Sequence, residues 1–196
     1  MADAREPADP NAGAPALVRP LLDGIDALSR LDGWLAATAL ASLTLLILAE
    51  VALRLASSVV PALPHGIPVA WEYGSYLMAA TFTFGSAMTL RTGGHIRVSL
   101  LLGRLGGRSR RLFEVVLAAV GLTMTGFLAY ALARFTFEAY TRGQTSIASA
   151  TPVWIPQLVV TFGITLFALQ FLARLIQALL DLPLEDESRK QATLAE

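Results

Sequence analysis

Cysteine is absent from all 196 residues, which excludes disulfides, thiolate metal sites and cysteine nucleophiles together. Charge is scarce. Only 15% of the residues are Asp, Glu, Lys or Arg, where an ordinary soluble domain carries about 25%. The 15 basic and 15 acidic side chains cancel, so no net field attracts nucleic acid or an acidic substrate. Histidine occurs twice, at His65 and His95, and Gly93–Gly94 is a lone doublet rather than a phosphate-cradling loop. The chain has no internal repeat. The first residues, Met1 to Arg19, are rich in Ala, Pro and Asp and lack an apolar h-region, so no cleaved signal peptide is expected and insertion is expected to start at the first spanning helix.

Apolar residues, by contrast, make up 55% of the chain and gather in four blocks. These run from Trp34 to Ala56, Val69 to Leu90, Leu112 to Glu138 and Trp154 to Leu180. Each supplies the roughly 20 residues that about 30 Å of hydrocarbon requires. The sequence therefore predicts an all-α membrane protein of four transmembrane helices. Its membrane domain would cover residues 20–183, between a disordered tail over 1–19 and a charged tail over 184–196. Trp34, Trp71 and Trp154 fall at helix starts, where an indole anchors at the headgroups.

Arginine placement orients these helices. Arg91, Arg97, Arg104, Arg108, Arg110 and Arg111 crowd the link between the second and third blocks, so the positive-inside rule makes that link cytoplasmic. Four spans then place both termini in the cytoplasm, the N-in/C-in arrangement. His65 and His95 fall on opposite sides of the membrane and cannot share a metal or a proton relay. Two flanking segments read as amphipathic and interfacial on the cytoplasmic side. Leu21, Leu22, Ile25, Leu28 and Leu31 recur every three to four residues before the first span, and Val98, Leu101, Leu102 and Leu105 stand among arginines before Gly106 and Gly107.

A charge inside the bilayer is costly and marks function by default, yet almost none lies deep. Glu50 and Arg54, four residues apart, share a helix face near the periplasmic boundary and read as a structural ion pair. Arg134 and Glu138 repeat that spacing. Hydroxyls and amides such as Thr38, Thr81, Thr83, Ser86, Thr161, Gln157 and Gln170 read as packing glue, bonding a neighbouring helix or their own backbone. Gly74, Ser75, Gly85, Gly121 and Gly126 would let helices approach closely. Secondary transporters generally carry repeated halves, broken helices and midplane charge. Lacking these, the chain reads as part of a larger assembly. No cofactor, no metal and no catalytic residue is expected, and the chain is not expected to be an enzyme.

The stretch WEYGSYLMAATFTFGSAMTLRTGGHIRVSLLLGRLGGRSRR, residues 71–111, resembles the small membrane subunit (DctQ-like) of tripartite ATP-independent periplasmic (TRAP) transporters. Trp71, Glu72, Gly85, Arg91, Gly93, Gly94, His95, Ile96, Arg97 and Val98 stand where that family has its Trp-Glu helix start, its mid-helix glycine and its Arg-x-Gly-Gly-His-Ile-Arg-Val stretch. Thr151, Pro152, Trp154, Ile155, Pro156 and Gly163 resemble the family's last loop and fourth helix, and the Arg54 end of the first helix also fits. The chain departs at Ser99 and Ser75, where the family often has an acidic residue and an Arg.

The resemblance implies a three-part importer in the bacterial inner membrane. A periplasmic substrate-binding protein captures an organic acid, a large permease subunit moves it with sodium, and this chain enlarges the static scaffold. Glu50, Arg54, Trp71, Glu72, Gly85, Arg91, Gly93, Gly94, His95 and Arg97 are then candidate interface residues toward the large subunit or membrane lipids. The cytoplasmic arginines, through Arg111, either make those contacts or only enforce topology. Two other readings stay open: a membrane-surface enzyme with His95 as base and Arg91 and Arg97 on a lipid phosphate, and a stand-alone tetraspan structural protein.

Overall fold

A computed structural model of the chain describes residue 11, residues 13–91 and residues 107–182. Four helices run through the described residues: α1 (Arg19–Val59), α2 (Ala70–Arg91), α3 (Gly107–Thr141) and α4 (Trp154–Leu179). No strand occurs among the described residues beyond an isolated bridge between Thr145 and Pro152.

Prolines set most of the boundaries. Pro20 occupies the first turn of α1, where its missing N–H costs nothing. Pro61 forces the residue before it out of the helical region, and Val60 duly adopts φ −119° and ψ 94° to end α1. Pro68 separates the loop from α2. Pro156 falls in the first turn of α4, among the amides that no helical carbonyl reaches. At the end of α3, Gly143 takes φ 59°, the left-handed turn that closes a helix.

The sequence predicts a separate interfacial helix over residues 20–32. Instead α1 is one continuous helix of 41 residues, about 60 Å long. Gly24 and Gly33 lie in its interior at a cost of roughly 1 kcal/mol each relative to alanine. Packing offsets that cost. Leu22 and Ile25, the apolar stripe expected to face lipid, are buried against Ala173 of α4, with Ala14, Val18, Ile176 and Leu182 around them. The second amphipathic segment, at Val98 to Leu105, lies outside the described residues.

α4 is the centre of the bundle and packs against each of the other three helices, while α3 packs chiefly on α4 and α1 chiefly on α2. About a third of the apolar window of α4 is buried, against 6% for α1 and α3. Ala80, Phe84 and Leu166 form the middle of the core, with Leu28, Leu35 and Leu169 against them. Gly163 permits that contact, since a Cβ there would stand 2.6 Å from Thr83 Oγ1 of α2. Gly85 and Gly126 face open space instead. Three of the helices, α1, α3 and α4, are long and apolar enough to cross a membrane. The chain is accordingly a multi-pass membrane protein.

Candidate functional site

At the end of the bundle that holds the α1–α2 and α3–α4 loops, Glu50 is a staple. Its side chain is only 12% exposed. One oxygen accepts from the Arg54 guanidinium at 2.6 Å, and the other accepts from the Ile67 backbone N–H at 2.5 Å. The chain comes so near at Gly66 that a Cβ would lie 2.7 Å from the Glu50 carboxylate. The pairing of Glu50 with Arg54 follows the sequence reading. Its hold on the following loop does not appear in the pattern, because the partner is a main-chain amide.

Glu72 performs the equivalent task on α2. Its Oε1 accepts from the Tyr76 hydroxyl at 2.6 Å and from Ser149 at 2.9 Å, while its Oε2 is buried without a hydrogen-bond partner. Ser149 also lies 2.6 Å from the Thr151 hydroxyl, which in turn sits 2.9 Å from Tyr73. The α3–α4 loop meets this network as a small hairpin, closed by Ser146 N–H donating to Thr151 O and Val153 N–H to Gln144 O. Sequence reasoning singled out Glu72 and Thr151 but missed Tyr73, Tyr76 and Ser149. The available signal was the Thr-Pro before an apolar run, which marks a helix entry and nothing more.

Trp71 and Trp34 project from the bundle, 79% and 76% exposed. Trp154 instead packs edge-on against Tyr140, with ring centroids 5.5 Å apart. Arg134 and Glu138 pair at 3.6 Å, and Arg142 approaches the same carboxylate at 3.6 Å. Most of the helix hydroxyls bond the carbonyl one turn back, as Thr81 does to Leu77 and Ser86 to Phe82. The interhelical exceptions are few. Thr136 and Thr161 join α3 to α4 at 3.1 Å, and Gln170 donates to the Ile25 carbonyl at 3.1 Å.

At the opposite end, arginines cap helices. Arg111 donates to the Ala178 carbonyl at 3.1 Å and also to that of Leu179, and it lies 3.9 Å from Asp181. Arg174 donates to Leu90 O at 3.3 Å. Both place positive charge on the free carbonyls of a C-terminus, that of α4 and that of α2. Arg111, read from sequence either as a contact for a partner or headgroups or as a topology signal, also caps this chain's own α4. Arg91 closes α2; Gly93, Gly94, His95 and Arg97 lie outside the described residues. Asn11 is buried here as well. It donates to Asp23 and Asp26 at 3.0 and 2.7 Å and accepts from Gln177 at 3.0 Å. The segment before α1 and the residues after α4 therefore lie together.

Among the described residues, nothing in this arrangement unites a nucleophile, a base and a cleft. Its polar groups join helices to loops, and its apolar faces remain open. Comparison with known proteins agrees. The family model for the DctQ component of tripartite ATP-independent periplasmic transporters matches residues 43–181. The C4-dicarboxylate TRAP transporter small permease protein DctQ of Rhodobacter capsulatus is 31% identical over 110 residues, 55% of this chain and 48% of that protein. The aligned stretch thus spans about half the length of that relative. No solved structure matches.

Proposed function

Because the chain belongs to the family of the DctQ component of TRAP transporters, we propose that it scaffolds a large permease subunit in an importer of organic acids. The observation that carries this reading is the uneven burial of its helices. α4 packs against the other three and is the most buried of the spanning helices, whereas α1 and α3 leave Leu45, Leu48, Met124 and Phe127 each at least 60% exposed. Lipid covers part of such a surface and a second membrane protein the remainder. On α2, Gly85 stands in open space beside exposed Met78 and Phe82, which supports a helix of the large subunit approaching there.

We read the chain as four spans with both termini inside, and the way the helices run supports this reading. α2 extends beside α1 from the Gly33–Met88 contact to the loop held by Glu50, which supports a crossing by α2 although it is less apolar than the others. Asn11, Ala14 and Val18 meet the end of α4, which supports an even number of crossings. The arginine-rich end is then cytoplasmic, and the bilayer is the bacterial inner membrane.

In this reading a periplasmic binding protein delivers the substrate, the large subunit moves it with a sodium gradient, and this chain makes no contact with the transported acid. The relative's name points to a C4-dicarboxylate as the substrate class. Co-purification with the large subunit tests the partnership. Uptake in reconstituted vesicles at several sodium concentrations, normalised to assembled complex, tests the division of labour. Substitutions at Glu50, Glu72 or His95 should reduce assembly and leave sodium dependence unaltered. Changed sodium cooperativity at native assembly would place this chain in the transport step itself.

A further inference from the structure

Asp32 is fully buried, yet neither of its carboxylate oxygens has a hydrogen-bond partner. Its position follows from register. Leu22, Ile25, Ser29 and Asp32 recur at intervals of three and four on α1, and all are buried. Leu22 and Ile25 meet Ala173 of α4, and Gln170 of α4 donates to the Ile25 carbonyl. The residue after Asp32, Gly33, is covered by Met88 of α2, whose sulfur would lie 2.6 Å from a Cβ at that position. Leu28 and Leu35, on either side in sequence, pack on Ala80, Phe84 and Leu166. The carboxyl group therefore stands at the seam where α1 meets both α2 and α4, among apolar side chains.

An ionised carboxylate is strongly disfavoured in such a place unless a cation or several donors compensate it. Near it on α1 are Asp26 and Arg30. On α4 the neighbouring charge is Arg174, whose guanidinium is engaged with the Leu90 carbonyl. α2 ends at Arg91, three residues past Met88. None of the described side chains hydrogen-bonds Asp32. On the sequence reading the first span starts at Trp34, which leaves Asp32 before it, and burial pushes its carboxyl up to about 6.

We propose that Asp32 is a proton-binding site, and that the seam between α1, α2 and α4 is fully packed when this carboxyl is uncharged. Ionisation places a charge beside the Gly33–Met88 contact and loosens α1 from its neighbours. The native group holds its proton more tightly than the unfolded chain does. Between pH 3.8 and about 6 the folded protein therefore binds more protons, and the contribution of Asp32 to stability falls as pH rises through that window, then levels off above it. The same device gives the bundle a sensitivity to pH on the side where its ends lie, independent of any transported substrate.

Thermal unfolding of the full chain in detergent at pH 5 and pH 7.5, with Asp32→Asn and Asp32→Leu alongside, tests this. The native protein should unfold about 3–6 °C higher at pH 5 than at pH 7.5 through this group. Asp32→Asn should raise the midpoint at pH 7.5 and remove that component of the pH dependence. A lower midpoint for Asp32→Asn at both pH values would mean that the charge itself is needed, and would overturn the proposal. Infrared difference spectra of the native protein decide the matter even if both variants misfold. A carbonyl band from a buried protonated carboxyl should disappear with a midpoint near 6, and the lack of any such band would overturn the proposal equally.

Discussion

Glu72 and Ser149 lie 77 residues apart in sequence and are joined by a hydrogen bond of 2.9 Å, which fixes the last loop of the bundle to the first turn of its second helix. Hydrogen bonds to charged groups are worth about 1.5–3 kcal/mol where they are shielded from water. Ser149→Ala should therefore lower the unfolding midpoint in detergent. Tyr76 still donates to Glu72 in that variant, so the carboxylate keeps one partner. No change in midpoint would show that the loop is held by its own hairpin alone.

Arg111→Ala should destabilise the chain by about 1 kcal/mol or more, because it leaves the Ala178 and Leu179 carbonyls uncapped at the end of α4. Arg111→Lys should recover part of the loss, since a lysine brings charge without the guanidinium fork. Limited proteolysis near residue 180 should speed up in the alanine variant. Equal cleavage rates would refute the cap.

Gly85→Leu fills space that is empty within this chain. The isolated protein should keep its unfolding midpoint, while association with the large subunit weakens by about 1–3 kcal/mol, the usual cost of overpacking a helix contact. Pull-down of the large subunit from solubilised membranes measures it. Undiminished recovery would mean that this part of α2 faces lipid.

Reporter fusions after Gly66 and Thr145 should signal the periplasm, and a fusion after Glu196 the cytoplasm. A cytoplasmic signal at Gly66 would mean that α2 does not cross, and the four-span model would fail with it.

What the sequence reveals and what it hides divide by distance along the chain. Apolar blocks of spanning length and the four-residue spacing of Glu50 with Arg54 and Arg134 with Glu138 are local, and the structure reproduces the ion pairs at 2.6 and 3.6 Å. Local propensity misleads only where tertiary contact overrides it. The helix through Gly24 and Gly33 continues because its stripe at Leu22 and Ile25 has α4 to pack on. Arg111 looks like any other cytoplasmic arginine until α4 ends beside it, 67 residues further on. Asn11 falls in a stretch whose composition suggests disorder. Only the meeting of α1 with α4 creates the polar pocket of Asp23, Asp26 and Gln177 that one amide can satisfy.

The central place of α4 has a consequence for biosynthesis. The chain emerges from the ribosome with α4 after α1, α2 and α3, so α1 and α2 can pair as soon as both are inserted. α3, whose main partner is α4, must wait in the lipid with little to pack on. Closure of the bundle thus waits for the synthesis of α4. A chain that stalls before Trp154 would hold a formed hairpin and an orphaned third helix, the kind of intermediate that membrane quality control recognises by its unattached span.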